Sequence, residues 1–432
     1  MHDPWAALRH ADYRRFLTTH FAATLGVQIQ DVIVAWQMYL DTHDPLSLGL
    51  VGLAEALPNI AMSLLGGHVA DRMDRRKLAM IATWVLLGCA VVLAFLAGLQ
   101  GDAVHYRIIG AYCVVAISGM ARAFLQPART ALAASMVPRE LQANAITWRS
   151  TTWQLGAVVG PAMGGVLNAM VGPRGSYVAD GVLIVIALFA LAAIRYRDRP
   201  GAAEEEIPIW ESVTTGIRYL KGQQVLLGAM TLDLFSVLFG GAVALLPIFV
   251  VEILHTGAWG LGLLRAAPAV GALSMSLYLA WRPPLQRAGR ALLYAVAAFG
   301  IFTIGFGFSR AIWLSFACLM LAGAADMISV VIRSTLLQLL VPNHLMGRVT
   351  SVNAIFIGSS NEIGSFESGV AAHLLGAVPA VLLGGAITLG VVGGTAVWAP
   401  GLRNVGRLED LKAGETRDER RETRDVARSL SS

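Results

Sequence analysis

The stretch Gly66-Gly67-His68-Val69-Ala70-Asp71-Arg72-Met73-Asp74-Arg75-Arg76-Lys77 decides the reading of this chain. It joins two long apolar segments, about residues 47–70 and 78–99. Two glycines mark a helix end. A carboxylate follows, then four cations within about two helical turns. Basic residues crowded into a short loop between apolar runs mark the cytoplasmic side of a membrane protein.

The composition agrees. Of 432 residues, 56% are hydrophobic and 14% charged, against roughly 25% charged in soluble domains. Apolar runs of 18 or more residues recur, each able to cross a hydrocarbon core about 30 Å thick. The net charge of +5 does not point to nucleic acid, because Lys and Arg cluster in alternate loops and the C-terminal tail without interleaved aromatics. Cys89, Cys113 and Cys318 lie inside apolar segments with no metal-ligand or disulfide spacing, and read as packing residues. No cleavable signal peptide is expected, since Met1 to Arg15 is charged and lacks an apolar core.

The fold class read from the apolar runs is an all-α membrane protein of twelve transmembrane helices. They fall at about 16–39, 47–70, 78–99, 107–135, 144–171, 176–195, 224–252, 258–281, 291–308, 311–340, 349–376 and 379–400. Most basic loop residues lie on one side; only Arg107, Arg174 and Arg310 lie on the other. Both termini are therefore expected in the cytoplasm.

Four regions follow: a six-helix half over 1–195, a linker over 196–223, a second six-helix half over 224–402 and a disordered tail over 403–432. Within the linker, Trp210, Val213, Ile217 and Leu220 predict a short amphipathic helix from Ile209 to Leu220, lying on the membrane surface or packed under the bundle. The halves match at an offset of 204 residues. Arg129-Thr130-Ala131-Leu132 aligns with Arg333-Ser334-Thr335-Leu336, Val137-Pro138 with Val341-Pro342, and Gly156, Gly160 and Gly165 with Ser360, Gly364 and Gly369. A series at one fixed offset argues for two copies of one unit, the architecture in which one half rocks against the other around a central site.

Two constellations stand out. Gly156, Gly160, Pro161, Gly164 and Gly165 lie mid-membrane in the fifth span, where glycines four apart admit a neighbouring helix and the proline favours a kink. Intramembrane charges, functional candidates by default, are Asp31, Glu55, Arg122, Arg149, Asp233, Arg265, Asp326, Arg333, Glu362 and Glu367. Span one adds Gln28, Gln30 and Gln37 with Trp36 and Tyr39. That set suits an amphipathic organic substrate, although Tyr39 reads better as a membrane-interface anchor.

Over about residues 8–400 the chain resembles the major facilitator superfamily, in the branch that includes enterobactin and macrolide-type drug exporters. The carrying residues are Leu8-Arg9-His10-Ala11-Asp12-Tyr13-Arg14-Arg15-Phe16, the loop quoted first, Phe124 to Arg129, Val137 to Ala145 and Leu345-Met346-Gly347-Arg348-Val349. The resemblance implies that Gly67, Asp71, Arg72, Arg75 and Arg76 form a cytoplasmic gate, with Arg129 a partner for Asp71. It departs at Met73-Asp74, and the second-half copy Trp281 to Arg287 lacks the acid. The Gly156–Gly165 run fits the full motif of the superfamily's proton-coupled antiporters. In that fold helices one, four, seven and ten line the cavity, which selects Asp31, Arg122, Asp233 and Asp326. An Arg122–Asp326 pair across the pseudo-twofold axis is expected from the repeat. Asp31 and Asp326 are first candidates for the proton-carrying carboxylate, with Glu362 and Glu367 second, and Arg333, Gln28 and Trp36 complete the cavity set.

The expected function is secondary active transport across a bacterial inner membrane by a monomer. A proton gradient serves in place of any cofactor, and a siderophore-like or drug-like small molecule, protons and lipid are the partners. An uncoupled facilitator or importer of a small nutrient is the alternative. An enzyme is not expected, since no nucleotide-binding loop, nucleophile elbow or metal-binding His-Glu-x-x-His motif occurs.

Overall fold

A computed structural model describes residues 5–196, 209–281 and 287–406. The tail from 407 onward lies outside the described residues. The helices are α1 (Ala11–Thr42), α2 (Pro45–Arg72), α3 (Arg75–Leu96), α4 (Val104–Ser135), α5 (Gln142–Ala192), α6 (Ile209–Gly222), α7 (Gln224–Phe239), α8 (Leu246–Ile248), α9 (Gly257–Ala280), α10 (Ala288–Phe308), α11 (Ile312–Leu340), α12 (Asn343–Leu375), α13 (Ala377–Trp398) and α14 (Pro400–Arg403).

Nine described segments are long and apolar enough to cross a membrane. One of them, α5, has 51 residues, far more than one crossing needs. It is two limbs joined at Gly172, whose φ of 71° is left-handed backbone that only glycine takes freely, followed by Pro173, which has no N–H to continue the ladder. Helices α1 and α12 have 32 and 33 residues but fall short on hydropathy. The same amides and carboxylates that make them functional candidates lower their apolar average.

The segment expected as one span over 224–252 is broken. Helix α7 stops at Phe239, Gly240 and Gly241 follow, and a 3-10 turn, the short α8 and a π-turn over Phe249–Ile253 complete the crossing. Two adjacent glycines weaken the helix and Pro247 removes a donor. The break also has a packing reason: a Cβ on Gly241 would collide with Ser368 on α12.

Helix α6 packs against the second half. Gly216 abuts the Arg348 carbonyl on α12, the Tyr219 hydroxyl donates to the Leu340 carbonyl at 2.5 Å, and Leu220 is buried. Residues 403–406, assigned above to the tail, lie within the described fold. Val405 is buried beside Leu402, and the Ala288 and Gly289 N–H groups donate to the Gly406 and Val405 carbonyls.

The core shows how the halves meet. At the end carrying the termini, one apolar cluster holds first-half residues such as Phe16, Leu86 and Leu132, and another holds second-half residues such as Leu226, Leu292 and Leu336. At the far end one cluster mixes the halves: Val32, Tyr39 and Leu48 pack with Leu245, Phe249 and Leu261. Shared apolar packing between the halves, among the described residues, is thus a far-end feature.

Candidate transport site

A cavity of about 230 Å³ lies between the halves and adjoins one of about 370 Å³ within the second half; Ala244, Arg265 and Ser365 stand in the walls of both. Asp31 on α1, Glu55 on α2 and Arg122 on α4 line the first; Asp326 on α11 lines the second. Arg122 is held by two carboxylates. Its Nη2 donates to Asp31 Oδ1 at 3.1 Å and its Nη1 to Glu55 Oε1. All three side chains are about four-fifths buried. Two acids thus share one guanidinium where unpaired charge is costly.

The expected Arg122–Asp326 pair is not what forms. Arg122 is satisfied within its own half by acids on the two neighbouring helices, and Asp326 faces the adjoining chamber. The second half repeats the pattern at another depth, since Asp233 on α7 pairs with buried Arg333 on α11. Each half therefore ties its first helix to its fourth, and Asp233 and Arg333 serve that tie away from the chamber walls. Gln28 packs against Gly160, and Trp36 packs in the far-end apolar cluster; neither lines the two chambers, whereas Gln30 does. Tyr39 is no interface anchor. It is buried, and its hydroxyl donates to Glu252 of the opposite half. Glu367 is half-buried on α12 and stands outside both chamber walls. Glu362 and Asp71 lie on helical backbone, and their side chains are outside the described part of the structure.

The glycine run divides its work. A Cβ on Gly156 would meet Thr24, on Gly160 would meet Gln28 and on Gly164 would meet Ile29, so these three seat α1 against α5. Gly165 points the other way. A Cβ there would stand 2.7 Å from Gly262 Cα and from the Ala258 carbonyl oxygen of α9, in the opposite half. Gly262 in turn abuts the Pro161 carbonyl. The repeat partner Gly369 does the same on α12, against Gly49 of α2. His373 on α12 also meets Asp44, before α2, at 2.8 Å.

In the loop quoted first, Asp74 caps α3, accepting from the Arg76 and Lys77 N–H groups at 3.0 and 3.1 Å. That is the physical content of the departure at Met73-Asp74. Arg76 donates to the Leu191 and Ala192 carbonyls at the end of α5, a cation at a helix C-terminus. Gly67 has open space around it; the tight approach is at Gly66, against the Ala123 carbonyl of α4. Arg72 is exposed and Arg75 partly buried. Nε and Nη2 of Arg129 are buried and make no hydrogen bond among the described residues.

Asp12, ahead of the apolar run of α1, joins the first span to the end of the sixth by accepting from the Arg195 and Tyr196 N–H groups at 3.1 and 2.9 Å. Burial pushes its carboxyl up, but these donors and the Arg15 guanidinium outweigh that and hold it below the usual carboxylate range. Sequence reasoning missed Asp180 on the second limb of α5. It is fully buried against Gly26, and neither carboxylate oxygen has a hydrogen-bond partner among the described residues. A lone acid in an apolar run was the available signal.

The family model described as transmembrane secretion effector matches residues 2–416. The chain is 29% identical over 418 residues to the enterobactin exporter EntS of Citrobacter koseri, covering 94% of this chain and 93% of that protein. It is 28% identical over 353 residues to that of Shigella boydii, covering 79% and 81%. Among solved structures it is similar to a bacterial homologue of the iron transporter ferroportin in an inward-facing state, with a TM-score of 0.69, 15% identity and 91% and 99% of the two chains covered. It is also similar to the nucleoside transporter NupG, with a TM-score of 0.71, 11% identity and 89% and 99% covered. These two likenesses concern the fold. The chain belongs to the transmembrane secretion effector family: it is an all-helical, multi-pass membrane transporter of the major facilitator fold, and not an enzyme.

Proposed function

We propose that the protein exports a siderophore-like or amphipathic drug-like small molecule from the cytoplasm in exchange for protons, by alternating access. The observation that carries this reading is Arg122 held between Asp31 and Glu55 in the cavity between the halves. Two carboxylates on one cation leave one acid in surplus, and in a low-dielectric chamber a proton neutralises it most cheaply. Substrate entering the chamber changes that balance and releases the proton. The full-length similarity to enterobactin exporters supports export and the substrate class.

The positive loops support cytoplasmic termini in a bacterial inner membrane. With that orientation the far-end packing closes the outer side, and the cavity is served from the cytoplasm. We read twelve crossings: the nine apolar segments, the second limb of α5, and α1 and α12. The transporter works as a monomer without a bound cofactor. Energised everted vesicles containing the protein test this. Adding enterobactin, a macrolide or a lipophilic cation is expected to dissipate the proton gradient for one class, and not in Glu55→Gln. Transport with no proton movement would establish an uncoupled facilitator instead.

A further inference from the structure

The glycine run and the carboxylate pair are joined through Arg265. It stands one turn beyond Gly262 on α9, and Gly262 meets Gly165 and the Pro161 carbonyl with no room for a side chain on either helix. The guanidinium lies in the walls of both chambers. Its Nη1 donates to the main-chain oxygen of Asp31 at 3.3 Å, while the Asp31 carboxylate is held at 3.1 Å by Arg122. The acid of the first half therefore lies between a cation of its own half and a cation of the opposite half. A single long bond to a carbonyl is slight use of a group with five N–H donors. No described carboxylate forms an ion pair with Arg265, although Glu55 is near enough to interact with it electrostatically.

We infer that Arg265 is the positioning residue that couples the rocking of the halves to proton occupancy of the Asp31–Glu55 pair. This rests on the proton-coupled reading above. As α9 moves over the Gly165–Gly262 contact, the guanidinium exchanges the Asp31 carbonyl for a carboxylate of the pair. Two cations then face two carboxylates, and the pair stays ionised until a proton enters from the outer side. That proton frees the guanidinium and α9 returns; Arg122 again serves both acids, and substrate entering from the cytoplasm releases the proton inward. Among the described residues, the charged groups around Arg265 and the pair are Asp31 on α1, Glu55 on α2, Arg122 on α4, Asp326 on α11 and, against α1 at Gly26, Asp180 on the second limb of α5. Of the other elements against α9, the π-turn has Glu252, engaged by Tyr39 at the far end, and the first limb of α5 brings glycines.

The test uses the full chain in lipid nanodiscs without substrate, with spin labels at Val171 and Trp313, which lie on opposite halves at the far end and are 56% and 69% exposed. The fraction with the far end closed is followed by pulsed electron resonance between about pH 5 and 9, the range that brackets a shifted carboxylate. In the unsubstituted labelled chain the closed fraction is expected to rise on acidification with one midpoint. Arg265→Gln removes the cation that links ionisation of the pair to opening, so its closed fraction should lose most of its pH dependence. Arg265→Lys keeps the charge, stays within about half a unit, and carries the test should the glutamine variant fail to fold. An Arg265→Gln profile that keeps the parent's amplitude and midpoint, or a lysine variant displaced by more than about one unit, overturns the inference while leaving proton coupling standing. A flat profile in the unsubstituted labelled chain overturns the proton-coupled reading, and this inference with it.

Discussion

Adding one methyl group at Gly165 is expected to shift the carrier away from the state described here. A Cβ there stands 2.7 Å from Gly262 Cα, 2.7 Å from the Ala258 carbonyl oxygen and 2.8 Å from the Gly262 nitrogen, against the 3.4–4 Å of ordinary contact. All three atoms are backbone, so no rotamer change relieves the clash, and α5 and α9 must separate by roughly 1 Å. Overpacking of this kind costs typically about 1–3 kcal/mol. The contact joins the halves with the far end closed, and on the alternating-access reading it parts as that end opens, so the cost falls on the closed state. Gly165→Ala should lower the closed-to-open ratio by about 5- to 150-fold. Spin labels at Val171 and Trp313, with Cys89, Cys113 and Cys318 replaced, read the ratio directly. Gly88→Ala is the control, because a methyl group there meets nothing within 4 Å. A Gly165→Ala distance distribution that matches the control would refute the claim that this glycine is a bearing between the halves.

Three further outcomes are expected. Arg122→Ala strands two buried carboxylates and should destabilise the protein by about 3–5 kcal/mol, whereas Glu55→Gln removes only the surplus acid and should melt near the parent temperature; thermal unfolding in detergent separates them. Removing either Asp233 or Arg333 alone should cost about 3–5 kcal/mol, and the double variant Asp233→Asn with Arg333→Gln should recover much of it, measured by the same melt. The Asp12 carboxyl has a depressed folded-state pKa, so its stabilisation is present above the unfolded value and lost as pH falls through the folded one. The stability gap between the parent and Asp12→Asn should therefore be constant near neutral pH and close in the acid range below about 4.

Much of the architecture was legible because apolar length and basic loops report the bilayer directly. The offset repeat aligned Gly165 with Gly369, and each packs across to the opposite half. What the sequence could not give was rotation. Gly164 and Gly165 are neighbours, yet one faces Ile29 of its own half and the other Gly262 of the opposite half. The repeat aligned Arg122 with Asp326, but an ion pair forms with the nearest acids, and these came from α1 and α2. Trp36 shares a helix with Asp31 without sharing its face, and Gln28, one turn from Asp31, packs against Gly160 of α5 instead of lining the chambers. The break after Phe239 was signalled by Gly240 and Gly241, which the apolar run around them concealed.

The central claim is that the Asp31–Glu55 pair on Arg122 exchanges a proton for substrate. Proton release from purified protein in weakly buffered solution, on adding enterobactin, tests it most directly. The account predicts release of about one proton per chain near the midpoint of the pair, abolished in Glu55→Gln while binding persists. Saturable binding with no proton released from the parent protein at any pH would contradict it.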